Sequence, residues 1–200
     1  PMNATTGEGT FVFTSKTVIA LEDEKIEPVA KEFAQLFMKA AGFMPKLKVK
    51  SKKGDIYIRI DEAVKEEGYL LDVKPDKITI SVASEKGAFY ALQTLRQLLP
   101  SAIEGETKSE GVTWSIPVLS ITDEPRFSYR GLMVDVARFF IPKAQLLRII
   151  DTMGMLKLNK LHLHLTDDSG WRLEIKKYPL LAELGSKTVN RHGKSLPERR

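Results

Sequence analysis

Apolar residues recur along this chain with two periods, and the switches between them mark its elements. Thr10-Phe-Val-Phe-Thr14 and Thr17-Val-Ile-Ala-Leu21 are short β-prone runs around a Ser-Lys turn. From residue 24 to 41 the period becomes helical: Val29, Phe33, Leu36, Phe37 and Ala40 fall on one stripe. Pro28 sits near its start and Gly42 just past its end, the punctuation a helix requires. Strands return in Asp55-Ile-Tyr-Ile-Arg-Ile60, where the isoleucines alternate. Tyr69-Leu-Leu-Asp-Val73 and Ile78-Thr-Ile-Ser-Val82 flank Pro75-Asp76, a hairpin turn. Ser84 can cap a second helix over residues 86–99, with Phe89, Leu92, Leu95 and Leu99 on one face and Pro100 ending it. A strand over residues 113–121 completes a unit with enough apolar stripe for its own core.

From about Phe127 the rhythm differs. Gly131-Leu-Met-Val-Asp-Val136 is a continuous, mostly apolar run, as expected of a strand buried on both faces. Pro142 opens a helix with Leu146, Ile149, Ile150, Met153 and Leu156 at helical spacing, and residues 160–165 form another strand. A β-α-β unit of this kind makes its two strands parallel. Residues 171–175 and a short helical stretch over residues 179–184 follow a loop.

Composition narrows the picture. At 200 residues, 42% hydrophobic and 28% charged, the chain has the make-up of a globular protein of one or two domains. Having no cysteine excludes disulfides, thiolate nucleophiles and Cys-ligated zinc. The net charge of +5 is modest. Its densest cluster, Lys46-Leu-Lys-Val-Lys-Ser-Lys-Lys53, alternates like a strand with one solvated face. It lacks the interleaved aromatics of a nucleic-acid surface, so no nucleic-acid partner is expected. No apolar run reaches the length of a membrane span. Residues 1–9 carry no leader pattern, which fits both a cytoplasmic chain and one whose leader has been removed.

The candidate chemistry gathers in His162-Leu-His-Leu-Thr-Asp-Asp-Ser-Gly-Trp171. On this strand His162 and His164 share one face while Leu161, Leu163 and Leu165 share the other. The histidines then point into a barrel or crevice, and Thr166, Asp167 and Asp168 lie past the carboxyl end, where α/β folds bind ligands. The neighbouring strand ends at Val136-Ala137-Arg138, so Arg138 can reach the same mouth with a fork of donors suited to hydroxyls. His162, His164 and Asp168 read as structural support, Asp168 stabilising the loop. Asp135 reads as a structural bridge to Arg130 or a histidine, and Trp171 as a loop anchor whose indole can also stack on sugars. A His-x-His with a nearby Asp is also part of a zinc hydrolase's ligand set, but the only other histidine is His192, in a polar tail.

Three ordered motifs, Pro125-Arg-Phe-Ser-Tyr-Arg-Gly131, Asp135-Val-Ala-Arg-Phe-Phe140 and His162-Leu-His-Leu-Thr-Asp-Asp-Ser-Gly-Trp-Arg172, closely resemble glycoside hydrolase family 20, the β-N-acetylhexosaminidases. Lys157-Leu-Asn-Lys160 and Ile175-Lys-Lys-Tyr-Pro-Leu-Leu181 extend the likeness. Gly87-Ala-Phe-Tyr-Ala-Leu-Gln-Thr-Leu-Arg-Gln-Leu-Leu99 is similar to the family's non-catalytic α+β domain. The resemblance implies an α+β domain over residues 1–124, a sheet with two helices. It implies next, over residues 125–200, the first βα units of a (β/α)8 TIM barrel, incomplete in this chain. Arg138 matches the family arginine that binds hydroxyls of a terminal N-acetylhexosamine. Asp167 matches the aspartate that orients a downstream His coupled to the acid/base Glu. One departure is visible: the family usually has Arg-His where this chain has Arg138-Phe139.

The implied reaction is retaining and substrate-assisted. The substrate's own 2-acetamido oxygen attacks the anomeric carbon, one carboxylate positions the acetamide, and a neighbouring Glu protonates the leaving oxygen. That Asp-Glu pair follows the fourth barrel strand in the family. A closed barrel needs roughly 250 residues, so the chain is expected to be an N-terminal portion without the pair, inactive alone and completed by further barrel polypeptide. Glycans ending in N-acetylhexosamine are the implied partners, no cofactor or metal is expected, and export with leader removal is the implied location. A carbohydrate-binding fragment without turnover and a metal-dependent hydrolase remain as alternatives.

Overall fold

The computed structural model describes residues 1–187 and divides the chain into two compact units, Pro1–Arg126 and Phe127–Arg200. His192 and the rest of the polar tail lie outside the described residues.

The first unit is built on one mixed seven-stranded sheet. Its strands are β1 (Asn3–Val12), β2 (Val18–Leu21), β3 (Lys46–Val49), β4 (Ile56–Ile60), β5 (Tyr69–Val73), β6 (Ile78–Val82) and β7 (Ser115–Asp123), in the order β1-β7-β5-β6-β4-β2-β3. β2 runs parallel to β3 and β4, and β4 parallel to β6, whereas β5 pairs antiparallel with β6 and β7. The hairpin between β5 and β6 closes through Lys74 N–H donating to Lys77 O at 2.8 Å. The turn at residues 14–17 forms as expected, yet the strands it joins lie far apart: β1 pairs with β7, not with β2. β1 also starts well before Thr10, and β7 runs on to Asp123 rather than ending at Ile121.

Two helices pack together against this sheet, α1 (Glu27–Ala41) and α2 (Glu85–Leu98). Pro28 lies in the first turn of α1, and Gly42 ends the helix at φ 76°, a left-handed conformation in which a glycine has no Cβ to clash. Ser84 caps α2 by accepting the Lys86 N–H, while its hydroxyl donates to Glu66 O at 2.6 Å. The core between helices and sheet centres on Phe37, fully buried and stacked on Phe13 at 4.9 Å, with Trp114 edge-on. Tyr69 is buried as well; its hydroxyl lies 2.7 Å from Thr94 Oγ1 and donates to Asp123 at 2.9 Å. Burial pushes the Tyr69 phenol well above its ordinary pKa.

Only the first half of the lysine run is strand: β3 ends at Val49, an edge strand whose Lys46 and Lys48 are exposed, while Lys50 and Lys52 beyond it pair with Glu24 and Glu22. Charged edge strands resist pairing with other chains, which gives these lysines a physical role without a ligand.

The second unit begins with β8 (Gly131–Asp135), α3 (Lys143–Met155) and β9 (Lys160–His164). β8 and β9 are parallel, with Gly131 opposite Lys160 and Asp135 opposite His164, the pairing a β-α-β unit dictates. β10 (Thr166–Asp167) and β11 (Gly170–Trp171) form a tight antiparallel ribbon, and α4 (Pro179–Gly185) follows. One expectation is not met within residues 127–187. β8 is not buried on both faces: Leu132 is 40% and Met133 55% exposed, and only Val134 and, just beyond the strand, Val136 are buried. Among the described residues β8 pairs with β9 alone, and a two-stranded sheet has too little cover to hide both faces. α3 follows suit, with Met153 buried but Leu147, Ile150 and Leu156 exposed.

Candidate active site

The chain reverses at the carboxyl end of β8, and that turn, residues 136–138, carries Arg138. The Asp135 carboxylate folds back over it. Its Oδ1 accepts the N–H groups of Ala137 and Arg138, each at 3.0 Å, and its Oδ2 accepts Arg138 Nη1 at 2.7 Å. The Arg138 backbone N–H and then its guanidinium hold Asp135 below its usual pKa, and Asp135 in turn raises that of Arg138. Asp135, expected to bridge to Arg130 or a histidine, bonds to its own turn and to Arg138. Arg130 lies at the other end of β8 and donates to the carbonyls of Phe127 and Lys157 instead.

The second acid lies on β10, three residues past the end of β9. Asp167 Oδ2 lies 2.7 Å from Arg138 Nη2 and 2.8 Å from His164 Nε2, while its Oδ1 accepts the Asp168 N–H at 2.8 Å. Hydrogen bonding with the Asp168 carboxyl and with His164, then the Asp168 N–H and the Arg138 charge, pull Asp167 down to about 2. The arginine is therefore suspended between the carboxylates of Asp135 on β8 and Asp167 on β10, yet its side chain stays 53% exposed. A guanidinium has five N–H donors, so most of its capacity remains for a ligand.

The residues singled out from the sequence fall into two groups. Arg138, Asp167 and His164 meet directly. His162 shares the strand but is exposed, and no described hydrogen bond ties it to the others. Asp168 contributes its N–H to Asp167 and its Oδ1 to the Ser169 hydroxyl at 3.0 Å, a loop contact. Trp171 anchors the following loop through Nε1 donating to Leu173 O at 2.5 Å. No three His, Asp or Glu side chains converge as a metal site among the described residues. From the sequence, Asp135 has a bridging role but not Arg138 as its partner, and Arg172 is not singled out. The signal for Asp135 was its position three residues before Arg138, the spacing of a side chain that caps its own turn. For Arg172 only the three-dimensional approach of β11 to the turn reveals it.

An α+β unit, then parallel strands around a helix with opposed charges at their carboxyl ends, is the layout of an α/β enzyme. The comparisons sharpen that class. Residues 1–124 match the family model of glycosyl hydrolase family 20, domain 2, and residues 127–197 that of the family's catalytic domain. The chain belongs to glycoside hydrolase family 20. A β-hexosaminidase from Porphyromonas gingivalis is 40% identical over 190 residues, covering 93% of this chain and 24% of the relative. Among solved structures, the N-acetyl-β-hexosaminidase of Streptomyces plicatus in complex with Thio-NAglucal superposes with TM-score 0.85 at 35% identity, over 98% of this chain and 39% of that one. The exo β-N-acetylglucosaminidase of Vibrio harveyi in complex with N-acetylglucosamine gives TM-score 0.81 at 30% identity, over 98% and 30%. The chain thus spans about a quarter of the length of the Porphyromonas relative. No helix among the described residues is long and apolar enough to cross a membrane.

Proposed function

We propose that the whole protein is a retaining β-N-acetylhexosaminidase acting on glycans that end in N-acetylhexosamine. In this reading residues 1–124 form the non-catalytic α+β domain, and residues 125–200 begin a (β/α)8 barrel that further polypeptide completes. The two compact units and the two family-model matches support that division. The names of the relatives support the reaction class. The observation in this chain that carries it is the Arg138 guanidinium, half exposed and held between Asp135 and Asp167 at the carboxyl ends of two parallel strands.

The chemistry follows from that placement. Sugar hydroxyls are uncharged acceptors and donors, and a fixed guanidinium offers several convergent N–H groups to their oxygens. Asp167, ionised far below neutral pH, accepts hydrogen bonds and cannot supply the leaving group's proton. Its role is to orient donors: His164 and Arg138 here, and a histidine coupled to the acid/base Glu in the completed site. Bond cleavage itself needs no nucleophile from this chain, because the substrate's acetamido oxygen attacks the anomeric carbon and the Glu protonates the departing oxygen. A glycan substrate of this kind also suits an exported enzyme.

The test is hydrolysis of an aryl N-acetyl-β-glucosaminide by the whole protein. Release of the β-anomer first and a rise of tenfold or more in KM on Arg138→Ala are the expected results. Release of the α-anomer, or an unchanged KM, contradicts the reading. Residues 1–200 alone are expected to give no turnover.

A further inference from the structure

We infer that Asp135 and Arg172 are positioning residues for Arg138, gripping the 136–138 turn from opposite sides so that the guanidinium stands ready for the sugar. The inference rests on the reading that Arg138 binds sugar hydroxyls, and it adds two residues to the binding machinery.

The turn's backbone carries five polar groups between Val136 N–H and Arg138 N–H, and all five are engaged. On the N–H side, Val136 donates to His164 O at 3.1 Å, and Ala137 and Arg138 both donate to Asp135 Oδ1 at 3.0 Å. On the carbonyl side, Val136 O accepts Arg172 Nε at 2.9 Å and Ala137 O accepts Arg172 Nη2 at 3.3 Å. Asp135 takes only donors and Arg172 supplies only donors, so neither can do the other's work. The Arg172 guanidinium is itself fixed: it lies over the Phe140 ring at 5.4 Å and its Nη1 donates to Ser186 O. Gly170 lets β11 come this close, since a Cβ there would stand 2.6 Å from Ala137 O.

The same Asp135 carboxylate that holds the turn also takes Arg138 Nη1 at 2.7 Å, so backbone and side chain are set by one group. A half-exposed arginine otherwise samples many rotamers and loses that freedom on binding. Held in advance, Arg138 meets the substrate without that loss, and the benefit falls on binding more than on the chemical step. Loosening either grip should therefore raise KM further than it lowers kcat.

The experiment is a double-mutant cycle in the whole enzyme, read as the Kd of N-acetylglucosamine by calorimetry and as KM and kcat on the aryl glycoside. Asp135→Ala is expected to weaken binding about tenfold in the wild-type background and less than about twofold in an Arg138→Ala background. Arg172→Ala is expected to behave in the same way. Asp135→Asn, which keeps the Oδ1 acceptor, and Arg172→Lys, which keeps one donating nitrogen, should recover part of the affinity. They also serve in the cycle if an alanine variant fails to fold. Equal weakening in both backgrounds overturns the inference, because a merely structural role acts regardless of Arg138. Normal sugar binding by Arg138→Ala overturns the underlying site reading, and this proposal with it.

Discussion

Asp167 gathers donors from three residues, and its charge state follows from them. Its pKa lies at about 2, below the ordinary 3.8. A carboxylate depressed in the folded state stabilises the fold fully above its unfolded value, and that contribution fades as pH falls through the folded one. The stabilising window for Asp167 therefore reaches from neutral pH down to about 4 and closes near 2. The carboxyl 13C resonance of Asp167 should stay constant between pH 7 and about 4 and move only below that; a midpoint near 5 would contradict the geometry. Any fall in activity between those pH values then belongs to another group. At this scale the sequence was readable where spacing alone puts side chains together. Asp167 and His164 stand three apart and do meet, and Arg138 arrives from the strand that a parallel pairing requires. Arg172 was not readable, since nothing in its neighbours along the chain says that its fork points back at carbonyls some 35 residues earlier.

The helices of the first unit show how much short-range punctuation decides. Ser84 closes the open end of α2 through the Lys86 N–H and ties it to the Glu66 carbonyl, so its hydroxyl satisfies two backbone groups at once. Ser84→Ala should lower stability by about 1 kcal/mol in urea unfolding with no change in the midpoint's cooperativity. A loss below a few tenths would mean that solvent replaces the cap. Helix stripes, caps and the β5–β6 hairpin were legible because each is fixed within a few residues. The exposure of β8 was not. An apolar run states that burial is preferred, whereas burial itself depends on which other elements come to lie against it.

Across the whole molecule, strand order is the part that sequence patterns leave open. Period-two alternation identifies seven strands but carries no mark that β1 pairs with β7 rather than with β2. Such pairing is chosen by the total burial of the unit, which no window of residues contains. The first unit nevertheless has its own continuous core, from Phe11 on β1 to Ile121 on β7. Residues 1–126 expressed alone should therefore unfold in a single cooperative thermal transition, followed by circular dichroism. A broad, probe-dependent melt would show that the unit depends on the rest of the protein.

The pairing of Asn3 with Thr122 has a consequence for how the protein is made. As the chain leaves the ribosome, β1 emerges before the strand it pairs with and must wait while more than a hundred residues are synthesised. Until Ile121 and Asp123 are delivered, β1 has nothing to pair with, and Tyr69 lacks the acid that receives its hydroxyl. In the folded sheet the Gly9 kink at φ 97° and the register shift between Thr6 and Thr10 interrupt β1, which lies at the edge of the sheet. A bent, broken strand is a poor template for another nascent chain. The irregularity in β1 thus keeps the outer edge of the finished sheet from pairing with another chain.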